Sequence, residues 1–336
     1  MPRRLAVRGF VAFAVLALAT VAGSSHADTV YVTSFTTGAL IRYDSANPAG
    51  TATTLSGTGV ITFASGLAVG PDGNLYISEA GDGGTVVPKI LRLNLSTNAL
   101  SVVHAFSSFD VVPAALIFNG NDLLVGRNPI YGNTGPIVKM TNVTGGTVAV
   151  SNYTTGGGLA SSPGLALAAD GSLYVSDQTY SFVSGTATGP VKRFDATGIY
   201  IDEVIASGSN GLSGPTGLAV SGSTLYTASI MNGSILQTNL TDDVTQPFGS
   251  TGVLFGASPL STLSDGGLLA GTAGGAGDIY HLAANGTVVS TYASGLGTIG
   301  GIVTVAVPEP GTLALAVLGI AGFAWHARKP RRNGNG

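Results

Sequence analysis

The chain of 336 residues contains no cysteine, which excludes disulfide staples and thiolate chemistry. Charged residues make up only 9% of it, too few for long solvated helices or for charge-rich disorder. Basic residues are scarcest where a polyanion would need them. Seven of the fourteen lie in the two ends: Arg3, Arg4, Arg8, Arg328, Lys329, Arg331 and Arg332. Residues 28–306 keep seven Lys and Arg against sixteen Asp and Glu, a net charge of −9. An acidic body without a basic cluster excludes nucleic acid as a partner. Histidine is short as well. His26 and His326 lie in the ends, and His104 and His281 fall within apparent strands, so no general base stands out. What the chain has instead is 51 glycines, together with Ser, Thr and short apolar runs. That mixture points to many short strands joined by tight turns.

The ends read as export and sorting signals. Residues 1–27 combine Arg3, Arg4 and Arg8 with an apolar run from Phe10 to Ala22 and the small residues Ser25 and Ala27. This is the pattern of a secretory signal peptide, with signal peptidase expected to cut before Asp28. At the other end, Val307-Pro308-Glu309-Pro310-Gly311 precedes an apolar stretch over 312–327 and the basic tail 328–332. Motif, apolar helix and basic tail in this order resemble the PEP-CTERM sorting signal of Gram-negative bacteria. The resemblance implies recognition of Pro308, Glu309 and Pro310 by an exosortase-type processing enzyme. An apolar helix of roughly 15 residues spans about 22 Å, short for a bilayer, and the basic tail is expected to stay on the cytoplasmic side. The expected course is export, inner-membrane anchoring through the C-terminal transmembrane helix, then processing for the cell surface or the extracellular space.

Between the signals one pattern recurs. Its landmark is a strand of apolar, Tyr, apolar and small residues: Val30-Tyr31-Val32-Thr33, Leu75-Tyr76-Ile77-Ser78, Leu173-Tyr174-Val175-Ser176 and Leu225-Tyr226-Thr227-Ala228. Leu123-Leu124-Val125-Gly126 and Leu268-Leu269-Ala270-Gly271 are degenerate copies. Successive second residues are spaced by 45, 48, 50, 52 and 43 positions. Repeats of this length with several strands each indicate a β-propeller. Most copies follow another strand and a turn, as in Gly66-Leu67-Ala68-Val69 before Pro71-Asp72-Gly73, and Asp-Gly between apolar runs marks a hairpin. A third strand follows, with Arg42, Arg92, Lys139, Arg193, Gln237 and His281 at one position, and traces of a fourth. The expected fold is all-β, a six-bladed β-propeller over 28–306. Val30-Tyr31-Val32 lacks a first strand before it, and Gly300–Thr304 is a first strand without a blade. Pairing the two closes the ring through its termini. The six copies resemble the propellers of the NHL and gluconolactonase-like superfamily.

The candidate site follows the landmark strand, at Ser34, Glu79, Arg127, Asp177, Ser229 and Thr272. These positions are expected at the mouth of the channel, where long loops add Tyr131 and Tyr180. Glu79 and Asp177 are the only acids in the set and the candidate ligands of a divalent cation such as calcium. The other reading is that Arg127 neutralises them. Gluconolactonase-like hydrolases, by resemblance, gather Glu, Asn and Asp around a channel metal, beginning with a Glu near the N-terminus. Residues 28–78 contain no Glu. The expectation is therefore a binding or structural module with a polysaccharide or matrix ligand. The alternative is a metal-dependent lactone or ester hydrolase working at the mouth. Six Asn-x-Ser/Thr sequences, at Asn94, Asn142, Asn152, Asn232, Asn239 and Asn285, mark a polar exterior.

Overall fold

A computed structural model describes residues 28–307, except 57–59, 108, 129–133, 182, 250–253 and 255. The expected signal peptide, the apolar segment 312–327 and Tyr131 lie outside the described residues.

Every blade is an antiparallel sheet of four strands. Blade 1 begins with β1 (Asp28–Ser34), β2 (Leu40–Asp44) and β3 (Thr53–Ser56). Blade 2 is β4 (Ala64–Val69), β5 (Leu75–Glu79), β6 (Lys89–Leu93) and β7 (Leu100–Ala105). Blade 3 is β8 (Pro113–Asn119), β9 (Asp122–Arg127), β10 (Val138–Thr141) and β11 (Ala149–Asn152). Blade 4 is β12 (Leu165–Leu167), β13 (Leu173–Ser176), β16 (Val191–Phe194) and β17 (Tyr200–Ile205). Its second and third strands are separated by a small hairpin, β14 (Thr179–Ser181) and β15 (Thr186–Thr188). Blade 5 is β18 (Pro215–Ser221), β19 (Thr224–Ser229), β20 (Ser234–Asn239) and β21 (Val244–Pro247). Blade 6 is β22 (Ala257–Thr262), β23 (Leu268–Thr272), β24 (Ile279–Leu282) and β25 (Val288–Ala293). The last strand, β26 (Ile299–Ala306), returns to blade 1 and pairs with β1 from Asp28↔Ala306 to Ser34↔Ile299. The propeller has six blades, and its ring is closed by its own ends. Among the described residues, helix is confined to single turns at Pro48–Thr51 and Ser209–Gly211.

The core explains the landmark. Six apolar clusters lie between neighbouring blades, and each draws on two of them. Successive side chains of a strand point to opposite faces. Leu75 and Ile77 therefore enter the cluster shared with blade 1, while Tyr76 enters the one shared with blade 3. Leu173 and Val175 are divided from Tyr174 in the same way. Both faces of a blade are buried, so the second strand reads as a continuous apolar run.

The small residue closing the landmark faces the backbone of the next blade. Ser78 Oγ donates to the carbonyl of Ala114 at 2.5 Å, and a Cβ at Gly126 would lie 2.2 Å from the carbonyl oxygen of Ser162. The innermost strands press together still more closely. A Cβ on Gly164, Gly217 or Gly300 would sit 1.8 Å from the carbonyl oxygen of Thr216, Ser258 or Ala64 respectively, each in the following blade. Around the axis, backbone meets backbone.

The opposite edge of the ring is held by polar contacts from blade to blade. Tyr76, directly opposite Arg92, donates to Asp72 Oδ2 at 3.1 Å and lies 3.3 Å from the Val143 carbonyl. Burial pushes its pKa up to about 12. Arg92 reaches the Thr144 carbonyl at 3.0 Å. Arg193 joins Asp202 of its own blade to Asp243 of blade 5. In blades 2 and 4 the shared third-strand position is thus a joint to the next blade, while Lys139 and His281 reach Asp122 and Asp265 of their own blades.

Gly300→Val should be badly tolerated, because the new methyls meet a main-chain carbonyl that cannot turn aside. The expected loss is about 3 kcal/mol or more, the upper end for overpacking. Gly145→Ala, where a Cβ meets nothing within 4 Å, should stay within about 0.5 kcal/mol of the parent. Denaturant melts of the two variants check the difference.

Candidate functional site at the channel mouth

The six ring positions do not face the axis. Each continues the alternation of its strand, so Glu79 shares a face with Leu75 and Ile77, and Asp177 with Leu173 and Val175. Ser34, Glu79, Arg127, Asp177, Ser229 and Thr272 are all buried. Four of them tie down the chain that enters the first strand of their own blade. Glu79 Oε1 accepts from Thr62 N at 2.6 Å. Arg127 Nη1 donates to the Asp110 carbonyl at 2.5 Å, and its Nε to the Pro136 carbonyl at 2.9 Å. Asp177 Oδ1 accepts from Ala160 N at 2.6 Å. Ser229 Oγ accepts from Ser213 N and donates to its carbonyl. Ser34 and Thr272 fasten the turns that follow their own strands, through Thr37 N and Asp278 N.

The two acids are neutralised within their own blades. Glu79 stands directly across the sheet from Lys89, with Oε2 and Nζ 3.0 Å apart. That contact does not have hydrogen-bond geometry, so it is a Coulombic pairing. Asp177 Oδ2 lies 2.5 Å from Lys192 Nζ, and both side chains are buried. Arg127 is satisfied differently, by main-chain carbonyls. Burial lowers its pKa from the usual guanidinium value, and the charge of Asp110 opposes that shift. Among the described residues no group of three or more His, Asp and Glu is arranged to hold a metal. The carboxylates expected to share a cation are occupied by lysines, so the residues present do not fit one.

The mouth itself is built one residue later. As the chain leaves the second strand, Phe35, Asn128, Gln178, Ile230 and Ala273 line a cavity of about 390 Å³. The tops of the innermost strands complete it with Ser65, Ala114, Pro163, Thr216, Pro259 and Ile299. Tyr180 joins from the blade 4 hairpin, exposed. Beneath, the glycine-lined axis narrows to a space of about 80 Å³. None of the described lining residues carries a charge. The wall is aliphatic and aromatic, with amides and hydroxyls set into it. Of the residues expected at the mouth, Tyr180 lines it and the six ring residues support it from behind.

Comparison with known proteins bears on the C-terminus and on the fold. Residues 306–329 match the family model of the PEP-CTERM protein-sorting motif. The chain therefore carries this motif at its C-terminus, which implies export and processing by an exosortase. Among solved structures, a chain in the crystal structure of a nidogen/laminin complex superposes with a TM-score of 0.65 at 13% identity. The match covers 83% of this chain and 98% of that one, and at such low identity it speaks for the fold alone. As many as 806 solved chains match, so the architecture by itself does not select a function. No curated protein matches the chain.

Glu79→Gln should keep an acceptor for Thr62 N but leave Lys89 without its charge partner. Glu79→Ala loses both. Because Lys89 is partly exposed, we expect a loss of about 1–2 kcal/mol for Gln and a clearly larger one for Ala. Equal losses in urea melts would mean that the tie to Thr62 adds nothing.

Proposed function

We propose that this protein is a surface or extracellular-matrix propeller that holds an uncharged ligand at its channel mouth. The observation that carries the reading is the cavity of about 390 Å³ whose described lining has no charged side chain. Such a wall rejects ions, which would lose hydration without gaining a partner. It favours neutral molecules with apolar faces and scattered hydroxyls. A polysaccharide or other matrix component has that chemistry, and Phe35 and Tyr180 offer aromatic faces from blades 1 and 4, opposite each other in the ring. Lactone or ester hydrolysis needs a base and an activated water or nucleophile. The described lining supplies no carboxylate, imidazole or amine, which favours binding over that alternative.

The route to the surface is part of the same proposal. Signal peptidase removes residues 1–27, the apolar segment 312–327 holds the chain in the inner membrane, and the exosortase acts at Pro308-Glu309-Pro310. In support, the sorting motif matches its family model. Among the described residues no helix is long and apolar enough to cross a membrane, and the segment 312–327 lies beyond them.

Two experiments test these halves separately. Replacing Pro308, Glu309 and Pro310 by alanine should leave export intact and retain unprocessed protein in the membrane of the native host. Normal processing would refute the assignment. For the mouth, Ile230→Trp should fill the cavity and abolish binding to a panel of neutral polysaccharides, with little change in melting temperature. Binding that survives the filled cavity, or that favours acidic polymers, would show that the ligand sits elsewhere.

A further inference from the structure

The resemblance to metal-bearing propellers implies an ion among the ring carboxylates, and the structure seats a lysine there instead. Lys192 Nζ lies 2.5 Å from Asp177 Oδ2, 2.5 Å from the Gly157 carbonyl and 3.2 Å from the Gly158 carbonyl. Three oxygens match the three donors of an ammonium group. The carbonyls are presented by an unusual backbone, because Gly156, Gly157 and Gly158 take φ values of 81°, 74° and 54° in succession. Only glycine adopts such a left-handed run readily. The other carboxylate oxygen of Asp177 accepts from Ala160 N and Ser161 N. One carboxylate and two neutral carbonyls then face one positive charge, and the sum is zero.

We infer that these groups form a cation cage whose resident is the chain's own Lys192. A free monovalent ion of ammonium's size, such as potassium, takes its place when the side chain is removed. Carbonyl and carboxylate oxygens are suited to hard cations and can replace part of a hydration shell. Calcium fits less well, since its second positive charge would be left uncompensated by the single carboxylate. The cage also has a task at the mouth. Asp177 leads directly into Gln178 and the hairpin that carries Tyr180, so Lys192 fixes the root of the lining without a dissociable ion. At Glu79 the arrangement differs, with one carboxylate oxygen offered to a partly exposed lysine.

The test is thermal melting of the full chain at constant ionic strength in potassium, sodium, ammonium and tetramethylammonium chloride. The parent protein should melt at one temperature in all four salts. Lys192→Ala should melt lower by on the order of 10 °C in tetramethylammonium, which is too large for the cage. Potassium or ammonium should restore at least half of that drop. Lys89→Ala, without a carbonyl cradle, should show no such recovery. Equal melting of Lys192→Ala in all four salts would overturn the inference, as would its failure to refold in every one of them. The double variant Asp177→Asn/Lys192→Ala removes both charges, and a potassium effect that persists there would place the ion elsewhere and equally overturn it.

Discussion

The pairing of β26 with β1 is the constraint on which the rest of the fold depends. The propeller has no central core. Its apolar side chains are divided into six clusters, each completed only when two blades meet. An open ring would leave two half-clusters facing water rather than one frayed strand. Closure joins residues far apart in the chain, Asp28 and Ala306. Loop entropy rises only slowly with loop length, so a contact this distant is affordable once the blades stand in place. Without a cysteine in the chain, strand pairing must do what a covalent clasp does elsewhere. Side chains reinforce it: Asp28 Oδ2 accepts from Ser264 N, and Thr304 hydrogen-bonds to Ser261 and Thr262.

A closed ring of six also fixes how near the innermost strands stand to the axis, and that spacing dictates composition. Glycine recurs at the inner strands because a methyl group would enter the neighbouring carbonyl. With the axis so narrow, open space exists only where the strands diverge at the mouth. Charges are used on either side of it as fasteners: Glu79 with Lys89 and Asp177 with Lys192 behind the mouth, Arg92 and Arg193 at the opposite edge. The described lining of the cavity is left neutral, and the ring charges behind it are engaged in holding loops and blades.

This division explains what could be read in the sequence. The landmark strand was legible because both of its faces are buried, which forces the apolar-Tyr-apolar pattern at blade spacing. Terminal closure was legible from one missing and one surplus strand. The mouth was harder, since in a strand one residue of register moves a side chain to the other face. The polar residues at Ser34, Glu79 and Asp177 drew attention by their type, yet it is their plainer successors Phe35, Gln178 and Ile230 that line the cavity. The lysine partners were hidden for a related reason. Lys89 lies ten positions beyond Glu79 and Lys192 fifteen beyond Asp177, separations set by loops whose conformation the sequence does not announce. Several Asn-x-Ser/Thr sequences also acquire a physical meaning. Asn94, Asn239 and Asn285 accept from backbone N–H groups two residues on, the Asx turns that start the outer hairpins. Turn chemistry alone accounts for Asn at these positions.

The sorting motif and the closing strand meet at a single residue. β26 runs through Ala306, and the match to the sorting motif begins at residue 306. No spacer separates the strand that closes the ring from the matched sorting motif. A cut beyond Val307 leaves every pair between β26 and β1 in place. A cut only a few residues earlier would remove Asp28↔Ala306, Thr29↔Val305 and Val30↔Thr304 in turn, together with the Thr304 contacts to blade 6. Progressive trimming would expose apolar surface, because Val305 and then Val303 pack against the cluster shared with blade 2, and Ile302 belongs to the one shared with blade 6. The ring thereby sets an inner limit on processing: a cut before Ala306 removes pairs that close the propeller, whereas one beyond Val307 removes none.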